Sequence, residues 1–222
     1  MTIKEYFNDW LKVIDINELK IVLDKINTID KTLLCPEYKN IFRAFNLCKY
    51  KDCKVVFLGM DPYSQKGVAT GLLFGNKPNT VKLSPSLEVI KEACINYEIY
   101  HNPLYFDITL ESWAKQGILL LNSALTCEIN KVGSHINIWR KFISSFLYNL
   151  SSTERNIIFV LFGSQAKSFK PYIDTTYNII FEVEHPAYLS RINQKLPYSL
   201  FTDINKILKS IYNTTISWYE YL

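Results

Sequence analysis

Three short stretches constrain this chain more than anything else in it: KVVFLG (54–59), GILLLN (117–122) and NIIFVLFG (156–163) are almost unbroken apolar runs. A strand with one wet face alternates apolar and polar residues, so a run without alternation belongs to a strand covered on both faces. A fourth stretch, YNIIFEVEHP (177–186), reads as a weaker strand because it carries Glu182 and Glu184. Helical stretches separate the four, at 84–97, 109–117, 137–150 and 164–173. Strand and helix alternating in this way predict an α/β fold with a central four-stranded parallel sheet flanked by helices on both faces. Apolar residues at helical spacing over 3–28, and Tyr38, Ile41, Phe42 and Phe45 within 35–48, predict extra N-terminal helices. A last helix over 199–212 is expected to close one face.

Composition narrows the class. With 222 residues and no linker, repeat or low-complexity tract, one domain spanning 1–222 is the economical expectation. The net charge of +4 is too small for a chain that coats nucleic acid indiscriminately, so any grip on phosphates must be local. Cys35, Cys48, Cys53, Cys94 and Cys127 form an odd set without a CxxC pair, and no histidine sits at ligand spacing. Neither a disulfide framework nor a metal site is expected, and reduced thiols suit a cytoplasmic setting. The opening MTIKEYFNDW carries charges where a signal peptide needs an apolar core, and no run approaches membrane-spanning length. A soluble, intracellular monomer is the expectation.

In a parallel sheet of this kind ligands bind beyond the carboxyl ends of the strands. The residues that follow each apolar run are therefore the candidates: Asp61 and Tyr63, then Asn122, then Gly163 and Ser164, then His185. Each alone has an ordinary explanation, since Asp-Pro makes turns, asparagine caps helices and a histidine before proline sits in many loops. Gathered at one sheet end with the Tyr63 and Phe74 rings, they make a small polar pocket with flat walls, suited to a planar heterocycle. A carboxamide offers one donor and one acceptor, the pattern that reads the imide edge of a pyrimidine. A nucleotide-binding α/β domain is disfavoured, because neither GxGxxG nor GxxxxGK follows any strand.

The ordered motifs sharpen this. GMDPYSQKGVATGLLFG (59–75) resembles the GQDPYH and GLxFS segments of family-1 uracil-DNA glycosylases. SPSL (84–87) resembles the family's PPSL loop, WAKQGILLLNSALT (113–126) its WAxQGVLLLNxxLT segment, and HPAYLS (185–190) its HPSPLS loop. FTDINKILKSIYNTTISW (201–218) matches the family's closing pattern in part. The resemblance covers 54–218 in family order.

It implies the three-layer glycosylase fold and hydrolysis of the N-glycosidic bond of deoxyuridine in DNA, the opening step of base excision repair, without metal or organic cofactor. Asp61 would position the attacking water and stabilise the oxocarbenium-like sugar, and a neutral His185 would donate to uracil O2 as charge builds on the leaving base. Backbone amides near Met60 would help the same oxygen. Asn122 would read N3–H and O4, Phe74 would stack on the base, and Tyr63 would stand where thymine carries its methyl. Leu189 would act as an apolar wedge filling the gap left by the flipped nucleotide. Ser84, Ser86, Ser164, Ser190 and Arg191 would hold the DNA backbone, with Ser84 equally suited to cap a helix beginning at Pro85. His135 aligns with a family histidine and is open to either a supporting or a structural role. His101 is expected in a surface loop. The partner implied is uracil-containing DNA, single- or double-stranded.

The chain departs from the family pattern at Met60, Ser64, Gly75, Ser84, Ala187 and Tyr188, and RINQKLPYSLF (191–201) lacks the family's usual sequence. Two readings compete with an active uracil-DNA glycosylase: a catalytically weak or inactive uracil-DNA-binding accessory protein on the same fold, and a glycosylase of altered base preference.

Overall fold

The computed structural model describes residues 6–95 and 104–221. Its centre is a parallel sheet of four strands, β1 (Val55–Gly59), β2 (Ile118–Asn122), β3 (Ile158–Phe162) and β4 (Ile179–Val183), in spatial order β2-β1-β3-β4. The first three are buried along their whole length, and β4 is only half-buried, as its glutamates foretold. Glu182 turns to solvent and pairs with Lys170 at 2.5 Å. From β1 the chain adds one neighbour on one side and then crosses to the other, so a crevice opens past the carboxyl ends of the central strands.

Eight α-helices among the described residues surround the sheet: α1 (Ile16–Asn27), α2 (Arg43–Leu47), α3 (Pro85–Cys94), α4 (Glu111–Lys115), α5 (Ile136–Thr153), α6 (Gly163–Lys167), α7 (Pro186–Arg191) and α8 (Ser199–Tyr212). Aromatic rings fasten them in two clusters. Trp10, Phe45 and Phe146 join the N-terminal segments to α5, with Trp10–Phe146 centroids 5.8 Å apart. Phe57 of β1 meets Trp113, Phe162 and Trp218 on the other side, where Phe201 of α8 completes the group. One core cluster runs from Phe7 to Trp218.

Several expected helices are shorter or broken, each for a local reason. Among the described residues of the 3–28 stretch, Tyr6 and Phe7 are helical, a 3-10 turn (Asn8–Lys12) follows, and α1 starts anew because the Asp15 side chain accepts from Asn17 N at 2.9 Å and Glu18 N at 3.2 Å. The 35–48 stretch is a 3-10 turn (Tyr38–Asn40) followed by α2. The 164–173 stretch ends as α6 at Lys167 and resumes as a 3-10 turn (Lys170–Tyr172), since Pro171 has no N–H for the helix ladder. HPAYLS, expected as a loop, is largely helical as α7. Two antiparallel pairings of two residues each, Leu34–Cys35 with Cys127–Glu128 and Leu104–Tyr105 with Glu220–Tyr221, were not foreseen. His101 and the end of the 84–97 stretch lie outside the described residues. No helix among those described is long and apolar enough to cross a membrane.

Candidate active site

Sheet register builds the site. Gly59 ends β1 directly beside Asn122 at the end of β2. Past that point the two loops stay zipped together: Ser123 N donates to Gly59 O at 3.0 Å, Ala124 N to Met60 O at 2.9 Å, and Ser123 Oγ to Met60 O at 2.9 Å. Asp61 and Asn122, 61 positions apart in the chain, therefore leave the sheet together. Farther along the same loop Gly71, at φ +84°, presses on the α2 region so closely that a Cβ there would lie 2.1 Å from Asn40 O.

A cleft of about 1030 Å³ opens at this end, lined by Met60, Asp61, Tyr63, Phe74, Asn122 and His185, with Ser86, Ser164, Ser190 and Arg191 around them. The predicted site residues thus come together, with two exceptions. Ser84 does not line the cleft; it caps α3, accepting from Leu87 N at 3.4 Å, and its hydroxyl lies 2.5 Å from that of Tyr63. Leu189, expected to project as a wedge, is only 5% exposed and belongs to the core cluster. Ser84 thus takes the capping role that the sequence left open and braces Tyr63, and Leu189 packs into the core instead of projecting from the surface.

The chemistry of each lining group follows from its surroundings. Asp61 Oδ2 accepts from Gly133 N at 2.6 Å. Burial raises the Asp61 pKa above the usual carboxylate value, and the Gly133 bond opposes that rise. Asn122 is 5% exposed, and its Oδ1 is buried without a hydrogen-bond partner. An orphaned acceptor costs stability and is the group a ligand N–H would satisfy. His185 caps α7, its Nδ1 accepting from Ala187 N at 3.2 Å. With that lone pair engaged, the neutral ring carries its proton on Nε2. Burial holds the His185 pKa below 6.5, and the Arg191 charge pushes it the same way. Glycine is required behind it, since a Cβ on Gly163, at φ +82°, would come within 2.8 Å of His185 Cβ.

The two rings are fixed from behind. Tyr63 donates to Phe74 O at 3.1 Å and meets Ser84 Oγ on its other side; burial pushes its pKa up to about 12, so the phenol stays neutral. Phe74 sits in the left-handed region at φ 62°, a strain of roughly 1–3 kcal/mol of the kind that persists at functional sites. Its ring packs edge-on against Phe162 at 5.1 Å and His185 at 5.7 Å.

Sequence reasoning missed part of the support. Gly133 carried no signal as a partner of Asp61. Two residues on, buried His135 has its Nδ1 2.9 Å from Thr126 Oγ1, which also accepts from Trp139 Nε1 at 2.7 Å. This network braces the segment that holds Asp61. Beneath the Asp61 loop, Cys127 Sγ donates to Pro62 O at 3.4 Å and Cys35 Sγ to Ser64 O at 3.5 Å. Burial raises both thiol pKa values, Cys127 to about 12 with the Asp61 carboxylate adding to the rise, so both remain S–H donors. Among the described residues no group of three or more His, Cys, Asp or Glu side chains is arranged to hold a metal ion.

A family model of the uracil-DNA glycosylase superfamily matches residues 45–209. The chain belongs to this superfamily. A uracil-DNA glycosylase of Campylobacter jejuni subsp. jejuni is 38% identical over 202 residues, covering 90% of this chain and 86% of that protein. One from Aliarcobacter butzleri is 37% identical over 216 residues, covering 94% and 99%. In fold, the chain resembles the crystal structure of mimivirus uracil-DNA glycosylase, with a TM-score of 0.75 at 22% identity, covering 97% of this chain and 91% of that one. Within this glycosylase-superfamily chain the departures have visible settings. Ser64, where the motif has histidine, is buried, and its carbonyl accepts from Asn130 N at 2.9 Å. Met60 reaches toward Gly133 and lines the cleft floor.

Proposed function

We propose that this chain is a monofunctional uracil-DNA glycosylase that hydrolyses the N-glycosidic bond of deoxyuridine in DNA, releasing uracil and leaving an abasic site, in the cytoplasm. The observation that carries this reading is the meeting of Asp61, Asn122 and His185 on one cleft walled by Tyr63 and Phe74. The volume of about 1030 Å³ exceeds the needs of one base and leaves room for the attached sugar and phosphates.

On this reading the base enters against Phe74 with its imide edge on Asn122, whose unpaired Oδ1 accepts N3–H while the amide NH2 donates to O4. Cytosine reverses both polarities there, setting an unprotonated N3 against Oδ1 and an amino group against the amide NH2, and leaves both sides unpaired. Tyr63, held by Phe74 O and Ser84, blocks the space a C5 methyl needs. As the glycosidic bond breaks, His185 Nε2–H donates to O2 of the departing anion, while Asp61 stabilises the positive sugar and directs a water to it. Both interactions strengthen only in the transition state, which is what accelerates the step. Among the described residues that line the cleft none is a lysine, so no amine is placed to form a Schiff base with the sugar, and water is left as the nucleophile. The same reading gives Ser86, Ser164, Ser190 and Arg191, which also line the cleft, the task of meeting the phosphates.

The test is base release from single- and double-stranded oligonucleotides carrying U, T or C, read by alkaline cleavage of abasic sites. Release of uracil alone supports the proposal; binding without release, or release of another base, sinks it. The pH dependence has a defined sign. Asp61 acts ionised and His185 acts neutral, so both working forms are the deprotonated ones. The Asp61 pKa is raised above the ordinary carboxylate value and that of His185 lowered below the ordinary imidazole value, so kcat/KM should fall on the acid side as each group takes up its proton. Protonating His185 also breaks its bond from Ala187 N. A limb that is lost in His185→Ala and is centred above the ordinary histidine value contradicts this assignment.

A further inference from the structure

A ring can exclude a methyl group only if it cannot swing away from it, so the hold on Tyr63 matters as much as its place in the cleft. The phenol oxygen is where this chain takes hold. It donates to Phe74 O at 3.1 Å and lies 2.5 Å from Ser84 Oγ. In the PPSL pattern that SPSL (84–87) resembles, position 84 is a proline, which has no hydroxyl to offer.

Behind Ser84 stands Asn76, buried and not singled out by any motif. Its amide orientation follows from its neighbours: with Nδ2 toward Phe74 O (3.3 Å) and Ser84 Oγ (3.0 Å), Oδ1 faces Ser84 N at 3.1 Å, and every contact pairs a donor with an acceptor. The Tyr63 hydroxyl gives its proton to Phe74 O, whose second lone pair takes Asn76 Nδ2. Ser84 Oγ accepts from Asn76 Nδ2 and from Leu87 N at 3.4 Å, which leaves its own proton for the Tyr63 oxygen. The ring of bonds closes with no donor to spare. Asn76 is fixed in turn through its backbone, whose N donates to Ile108 O at 2.9 Å. A buried polar network satisfied in this way has one arrangement, and removing a member frees the rest.

Resting on the glycosylase reading above, we infer that Ser84 and Asn76 are positioning residues for base selection: through this ring they hold the Tyr63 phenol at the place of C5, so that uracil is admitted and its 5-methyl form refused. The carbonyl that closes the ring belongs to Phe74, the residue in the left-handed region at φ 62°. The excluding ring and the stacking ring are thereby tied to one atom, and the width of the slot between them is set by hydrogen bonds that lie outside the cleft.

The test measures the preference for uracil over thymine in Ser84→Ala, Ser84→Thr and Tyr63→Phe. It is read in two ways: as the ratio of kcat/KM for release, and as the ratio of Kd for oligonucleotides carrying non-cleavable 2′-fluoro-2′-deoxyuridine or its 5-methyl counterpart. Ser84→Ala should lower the preference roughly tenfold, the factor that one buried hydrogen bond contributes near the upper end of its net range, and Ser84→Thr, which keeps the hydroxyl, should restore it. Loss of the α3 cap lowers Tm in Ser84→Ala whatever Tyr63 does, so coupling decides the matter. In the Tyr63→Phe background, where the phenol oxygen is gone, Ser84→Ala should change the preference no further. An unchanged preference in Ser84→Ala, or an equal further loss in the Tyr63→Phe background, overturns the inference. If the wild-type protein releases no uracil but binds the uridine analogue over its 5-methyl form, and Ser84→Ala weakens that preference, the catalytic reading fails and this one stands. A binding preference that is absent in the wild type, or indifferent to Ser84, sinks this one.

Discussion

Replacing Asp61 by asparagine is expected to cut uracil release by on the order of 10²–10⁴-fold while leaving the melting temperature unchanged or raising it. Asparagine keeps an oxygen for the Gly133 N–H and loses only the charge. The stability sign follows from linkage. Burial raises the Asp61 pKa, so the native state holds a proton that the unfolded chain gives up. Stability therefore falls as pH climbs from the ordinary carboxylate value to the raised one, and above that window the ionised group is a standing cost. The neutral variant escapes it. Melting curves of both proteins from about pH 4 to about pH 8 should show the variant's advantage growing through that window and then levelling. A variant that keeps its rate, or melts earlier at neutral pH, removes Asp61 from the proposed role.

Asn122→Ala should be nearly as damaging to activity and equally mild for the fold. Truncation leaves substrate N3–H and O4 without partners in a desolvated slot, at about 1–3 kcal/mol for each unsatisfied group, or roughly 10–10⁴-fold for the pair. It also removes a buried acceptor that has no partner in the free protein. Kinetics on uracil and cytosine substrates, with thermal melts, check both halves: uracil release should collapse toward the cytosine level while Tm moves little. A large loss of Tm would mean that Asn122 holds the protein together and does not read the base.

The strand core was legible because β1, β2 and β3 are wet on neither face, and an unbroken apolar run has few other uses. The half-buried edge strand β4 was legible through Glu182. Asp61, Asn122 and His185 could be picked out because parallel strands deliver their carboxyl ends to one side. What stayed hidden depends on contacts across the chain. Gly133 meets Asp61 from 72 residues away, and Ser84 meets Tyr63 from 21. The burial of Leu189 stayed hidden as well, because it follows from how α7 packs into the core, which the motif alone does not carry.

The register that places Gly59 opposite Asn122 ties the half of the cleft proposed to read the base to the half proposed to cleave the bond. Because pleated strands reverse side-chain direction at every residue, a slip of one position between β1 and β2 would turn Asn122 away from the slot and at once bury or expose the wrong partners along both strands. Selectivity and hydrolysis in this molecule are therefore mechanically inseparable: a distortion that misaligns one misaligns the other, so a partly damaged copy should fall silent before it excises a wrong base.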